Sequence, residues 1–68
     1  MDDHVYKITE LVGSSETSIE DAVNSAIGRA SKTLRNLRWF EIVSTRGEIR
    51  DDAACRYQVH LRLGFTME

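Results

Sequence analysis

Arg56-Tyr57-Gln58-Val59-His60-Leu61-Arg62-Leu63-Gly64-Phe65 is the longest alternation in the chain, and it decides the fold. Tyr57, Val59, Leu61, Leu63 and Phe65 fall on one side of the strand it predicts. Arg56, Gln58, His60, Arg62 and Gly64 fall on the other. A slip of one residue would turn the whole apolar row to solvent, so the register is firmly specified. Upstream, a turn across Arg50-Asp51-Asp52-Ala53-Ala54 joins this segment to a second strand, Trp39 to Ile49. There Phe40 and Ile42 take one face, Trp39 and Glu41 the other.

Before this hairpin runs a helix. Ile19, Ala22, Val23, Ala26, Ile27, Ala30, Leu34 and Leu37 recur at the spacing of a single buried stripe. Thr17 or Ser18 supplies the N-cap, with Glu20 or Asp21 three residues on. Acidic residues fill the first turn and Arg29, Lys32 and Arg35 the far end, as the helix dipole favours. The stripe predicts a helix of about twenty residues, roughly 30 Å long. Gly28 in its middle is read as a close-packing position. A first strand, His4 to Val12, alternates with Tyr6 and Ile8 on one side and is closed by Gly13-Ser14-Ser15.

The order is β-α-β-β, an α+β fold. A right-handed crossover makes strands one and two parallel, and the hairpin makes strand three antiparallel to strand two. With strand three central, the expected order is 1-3-2: a three-stranded antiparallel sheet wrapped on one long helix. That helix is expected to cover the face with Phe40, Ile42, Tyr57, Val59, Leu61 and Leu63, and Tyr6 is taken to point inward. Both outer strands are unpaired edges, and the face with Trp39 and Gln58 is open. One helix on one side of such a sheet is half a domain, so a closed homo-oligomer is expected.

Composition supports this. The 68 residues read as one unit, 1–68, with no proline and no linker. A domain this small is marginal without disulfides, a metal or oligomerisation. Cys55 is the only cysteine and the two histidines, His4 and His60, lie in different segments. No disulfide or structural zinc is expected, and a reducing compartment fits. A net charge of −2 gives no footprint for nucleic acid. With no membrane-length apolar run, a cytoplasmic protein is expected.

Tryptophan is the largest apolar side chain, and a chain this small rarely spares it from its core. Trp39 on an open face therefore has two readings of about equal weight: a subunit interface, or a platform for a flat aromatic ligand. Gln58 shares that face, and its amide carries the donor and acceptor that a pyrimidine-like ring edge requires. Gln58 pairs close to Arg46, seven residues from Trp39, on the order of 24 Å at ~3.4 Å per residue. One ring can touch both only if they come from different subunits.

Arg46 reads as an ion-pair residue of Glu48 or Glu10, or as an anion contact, and Gly47 beside it as a bulge or close approach. Cys55 has no base in its pattern. His60 reads as a polar-face residue. Glu41 and Glu48 fall on opposite faces by strict alternation, which argues against a glycosidase dyad. With no phosphate loop or nucleophile motif, the chain does not read as an enzyme.

Tyr6-Lys7, Leu11-Val12-Gly13-Ser14-Ser15, Ala30, Thr33-Leu34-Arg35, Trp39-Phe40-Glu41, Arg46-Gly47, Tyr57-Gln58-Val59 and Leu63-Gly64-Phe65, in this order and at these separations, resemble the dodecins. The likeness runs nearly end to end. It implies a hollow dodecamer of cubic symmetry that holds pairs of flavins, riboflavin or FMN, between symmetry-related tryptophans. By the resemblance Trp39 is the stacking residue and Gln58 meets the pyrimidine edge. Arg46 matches an arginine common in bacterial members, Glu48 lies where some members hold a ribityl-contacting acid, and Ser44 stands where those members carry aspartate. Thr66 replaces a basic residue that often follows the final Gly-Phe. The implied function is flavin storage, sequestration and photoprotection. The competing readings are a cofactor-free interaction or regulatory module and a small RNA-binding sheet.

Overall fold

The structure, a computed structural model, describes residues 4–67. Its elements are β1 (Tyr6–Ser15), α1 (Ile19–Ala30), β2 (Leu37–Arg50) and β3 (Ala53–Thr66). They form one sheet in the order β1-β3-β2, with β3 antiparallel to both neighbours. The subunit is a long, thin body of 54 × 21 × 15 Å.

The hairpin is tighter than expected. Arg50 pairs directly with Ala53, leaving only Asp51 and Asp52 in the loop. Their φ values, 55° and 63°, follow the left-handed pattern that matches strand twist, and aspartate tolerates it better than most residues.

β1 does not stop at Gly13 but runs on to Ser15, paired with Tyr57. Gly13 marks a close approach instead. A Cβ there would overlap the Ala22 carbonyl oxygen and lie 2.8 Å from the Ala26 Cβ, so three small residues seat the helix on the sheet. Ser15 Oγ accepts from the Thr17 N–H at 2.9 Å and donates to Asp21 Oδ2 at 2.7 Å. Ser18 is the N-cap, its Oγ accepting from the Asp21 N–H at 3.0 Å.

The helix is twelve residues long, about 18 Å at ~1.5 Å per residue, well short of the expected length. Beyond Ala30 the chain winds down through turns. Ser31 Oγ donates to the Gly28 carbonyl at 2.8 Å, and Asn36 turns the backbone with φ 64°. Gly28 has nothing within 4 Å of a would-be Cβ, so close packing within the chain does not explain it.

The core lies between α1 and the β1–β3 half of the sheet. Ala22, Val23 and Ala26 meet Val59 and Leu61, all buried, with Leu11, Ile19 and Ile27 packed around them; Leu63, next on the same strand face, is buried as well. Because the helix sits over β1 and β3, it does not cover β2. Phe40 and Ile42 are on the helix side, paired with Leu63 and Leu61, yet remain 49% and 44% exposed.

Candidate functional site

Three register shifts shape β2 and β3, at Arg38, Val43 and Cys55; Gly47 is in regular pairing. The one at Val43 matters most. Strict alternation would place Trp39 and Glu41 on one side and Ser44, Arg46 and Glu48 on the other. One extra residue resets the phase. The cross-strand pairs Trp39–Gly64, Glu41–Arg62, Ser44–His60, Arg46–Gln58 and Glu48–Arg56 then form one ladder on the open face. All five candidate residues, Trp39, Ser44, Arg46, Glu48 and Gln58, lie on it.

Glu41 and Glu48 therefore share a face, contrary to expectation. Their partners Arg62 and Arg56 are six positions apart, roughly 20 Å at ~3.4 Å per residue, far beyond the ~5–9.5 Å of a glycosidase pair.

Trp39 lies over its cross-strand partner. A Cβ on Gly64 would collide with Cε2 and Cζ2 of the indole and sit 2.7 Å from Cδ2. Cε2 is a ring-fusion carbon with three bonded neighbours in the plane, so an atom near all three carbons must lie above the ring. One face of the indole thus rests on the glycine. Trp39 stays 39% exposed.

Tyr6 stands beside it, the ring centroids 6.3 Å apart and the planes at 59°. Tyr6 pairs with Thr66 and so belongs to the open face, not the interior. Both rings of an RNA-stacking sheet would thus share one face, but the net charge of −2 argues against that reading.

Six positions along β3, Gln58 accepts from Arg46 Nε at 2.8 Å. This polar contact replaces the expected ion pair of Arg46. Glu48 lies 3.9 Å from Arg50 instead, and Cys55 Sγ approaches Glu48 Oε1 at 3.9 Å. Between the two ends sits a charged cluster. His60 Nε2 meets Glu10 Oε1 at 2.7 Å, Arg62 donates to Glu10 Oε2 at 3.2 Å, and Arg62 also lies 3.7 Å from Glu41. The hydrogen bonds from His60 and Arg62 hold the Glu10 carboxyl below its usual range.

Tyr6 is the residue of this face that sequence reasoning misplaced. The signal that could have found it is its diagonal position to Trp39 once the β1–β3 register is known.

Fold and site together define a small α+β protein with a one-sided aromatic platform and an amide on the same open sheet face. Known proteins share the fold. The Dodecin family model matches residues 5–68. A dodecin from Thermus thermophilus is 50% identical over 64 residues, covering 94% of this chain and 93% of its own. The structure of dodecin from Streptomyces coelicolor superposes with a TM-score of 0.93 at 47% identity, covering 100% of this chain and 97% of its own. A calcium dodecin from Mycobacterium tuberculosis is 27% identical over 63 residues, covering 93% of this chain and 89% of its own. The chain belongs to the dodecin family. Among the described residues there is no group of three or more His, Cys, Asp or Glu that could hold a metal ion, and no helix long and apolar enough to cross a membrane.

Proposed function

We propose that this chain, as one unit over 1–68, assembles into a closed homo-oligomer, a dodecamer by family likeness. It stores and sequesters flavin, riboflavin or FMN, without catalytic turnover, in the cytoplasm. The observation that carries this reading is the one-sided platform. Trp39 rests one ring face on Gly64 and stays 39% exposed, while Gln58 lies roughly 20 Å away along the same strand pair. A flat ring stacked on Trp39 can meet a Gln58 amide only from another chain. The uncovered Phe40 and Ile42 and the two strand edges support assembly in the same direction.

In this proposal Trp39 stacks on the isoalloxazine and Gln58 meets its pyrimidine edge. Arg46, Glu48 and Ser44, next along the same ladder, line the ribityl side. Isoalloxazine is electron-poor and indole electron-rich, so their contact is favourable by about 0.5–1.5 kcal/mol beyond area burial. A touching indole can donate an electron to photoexcited flavin and take it back, which dissipates the excitation without net reaction. Photoprotection would follow.

The test is a riboflavin titration of purified protein, followed by flavin fluorescence, with particle size from light scattering. Strong quenching by a large particle is expected. A large particle that leaves riboflavin fluorescence unchanged would point to a cofactor-free interaction module. A stable folded monomer would sink both halves of the proposal.

A further inference from the structure

We infer that Gly64 and Tyr6 are positioning residues that set the plane of the Trp39 indole. For its ligand the inference rests on the flavin reading above; its geometry stands apart from it. Glycine inside a strand weakens it and marks a place where something approaches the backbone closely. Here the approaching group is the cross-strand indole, whose six-membered ring crosses the Gly64 Cα and leaves that glycine buried. An aromatic side chain laid over a facing glycine restores the apolar cover that the glycine lacks. Any side chain at position 64 must lift the ring off the sheet.

Tyr6 limits the remaining freedom. Its ring flanks the indole at 6.3 Å and 59°, and is itself flanked by His4 at 6.3 Å and 62°. A tilted aromatic neighbour favours one ring setting over another. The glycine thus fixes the height of the platform and the tyrosine its roll, so a flat ligand meets a surface already in place.

The variants are Gly64→Ala, Tyr6→Leu and Tyr6→Phe. Trp39 is the only tryptophan, so dichroism at the red edge of the near ultraviolet, beyond the absorption of Tyr6 and Tyr57, and indole emission report its setting. In unliganded protein, Gly64→Ala and Tyr6→Leu should lose most of the indole dichroism, with far-ultraviolet spectra and particle size kept. Their riboflavin binding should weaken about tenfold. Tyr6→Phe keeps the ring and should match wild type in both readouts.

If Gly64→Ala does not fold, the double variant Trp39→Ala/Gly64→Ala should fold again, because the colliding ring is gone. A double variant that also fails would overturn the role given to Gly64. Wild-type indole signals in Gly64→Ala and Tyr6→Leu would overturn the inference outright. If wild type itself ignores riboflavin, the flavin reading fails while the indole signals still decide the seat.

Discussion

Arg46 and Gln58 are direct partners across β2 and β3, and Arg46 Nε donates to Gln58 Oε1 at 2.8 Å. A guanidinium offers only donors, so the amide must turn its oxygen to Arg46 and its nitrogen away. Two N–H bonds and one oxygen lone pair are left for a ligand, already oriented. Replacing Arg46 with alanine frees the amide to rotate. Immobilising a side chain on binding costs about 0.5–1.5 kcal/mol, so riboflavin affinity should fall roughly two- to tenfold. Parallel FMN titrations separate two roles. Equal losses place the effect on Gln58; a larger loss for FMN places it on the phosphate.

Gly28 makes the opposite kind of prediction. It is helical, and nothing lies within 4 Å of its would-be Cβ. Gly28→Ala should stabilise the chain by up to about 1 kcal/mol through helix propensity and a less flexible unfolded state. Urea denaturation measures it. A destabilised variant would mean that a neighbouring subunit packs against this turn of α1.

The parts of this fold that were legible in the sequence are those where one residue type repeats against one neighbour. Tyr57 to Phe65 alternate without a break because β3 is central, with the helix packed on one side at Val59 and Leu61. The order β1-β3-β2 follows from that strand together with the crossover and the hairpin, and the open position of Trp39 from the start of β2. The helix end was not legible. Leu34 and Leu37 continue the apolar spacing after the backbone has left the helix, and only Asn36, tolerant of positive φ, marks the change. Nor was the phase of β2 legible past Val43. A bulge was expected at Gly47, and only the pairing of Ile42 with Leu61 and Ser44 with His60 shows it at Val43. Without that shift Ser44, Arg46 and Glu48 would miss the face of Trp39, and the candidate set would have had no common surface.

Acid should loosen the centre of the open face. Glu10 is bound by His60 and Arg62, and its carboxyl is held below the ordinary 4.5. A depressed carboxylate contributes stability that is present above its unfolded pKa and lost as pH falls through the folded one. The contribution is therefore full near neutrality and fades below about pH 4.5. Glu10→Gln removes it at every pH. Wild type should lose more stability than Glu10→Gln between about pH 6 and pH 3 in matched denaturant titrations. Parallel curves would show that the cluster does not couple to folding.

Trp39→Ala removes the platform and spares the core, because Val59, Leu61 and Leu63 lie on the other face of the sheet. Loss of a stacking partner should cost on the order of 1–3 kcal/mol of flavin binding, by analogy with base–aromatic stacking. Flavin that still binds should fluoresce, since the electron donor is gone. Unchanged affinity with full quenching would mean that Trp39 is not the stacking residue.

Gln58→Leu tests the polar end of the site. Leucine keeps approximate volume and strand compatibility, and position 58 faces away from the helix, so the subunit should fold and assemble. What disappears is the amide that the proposed function sets against the ring edge, and Arg46 loses its acceptor. An unpaired buried polar group costs roughly 1–3 kcal/mol, so affinity should fall by about one to two orders of magnitude. The loss should exceed that of Arg46→Ala, because Arg46 acts through the amide while Gln58 supplies it. Flavin titration of both variants beside wild type measures the order. Equal dissociation constants for Gln58→Leu and wild type would make Gln58 a strand residue held by Arg46 and nothing more.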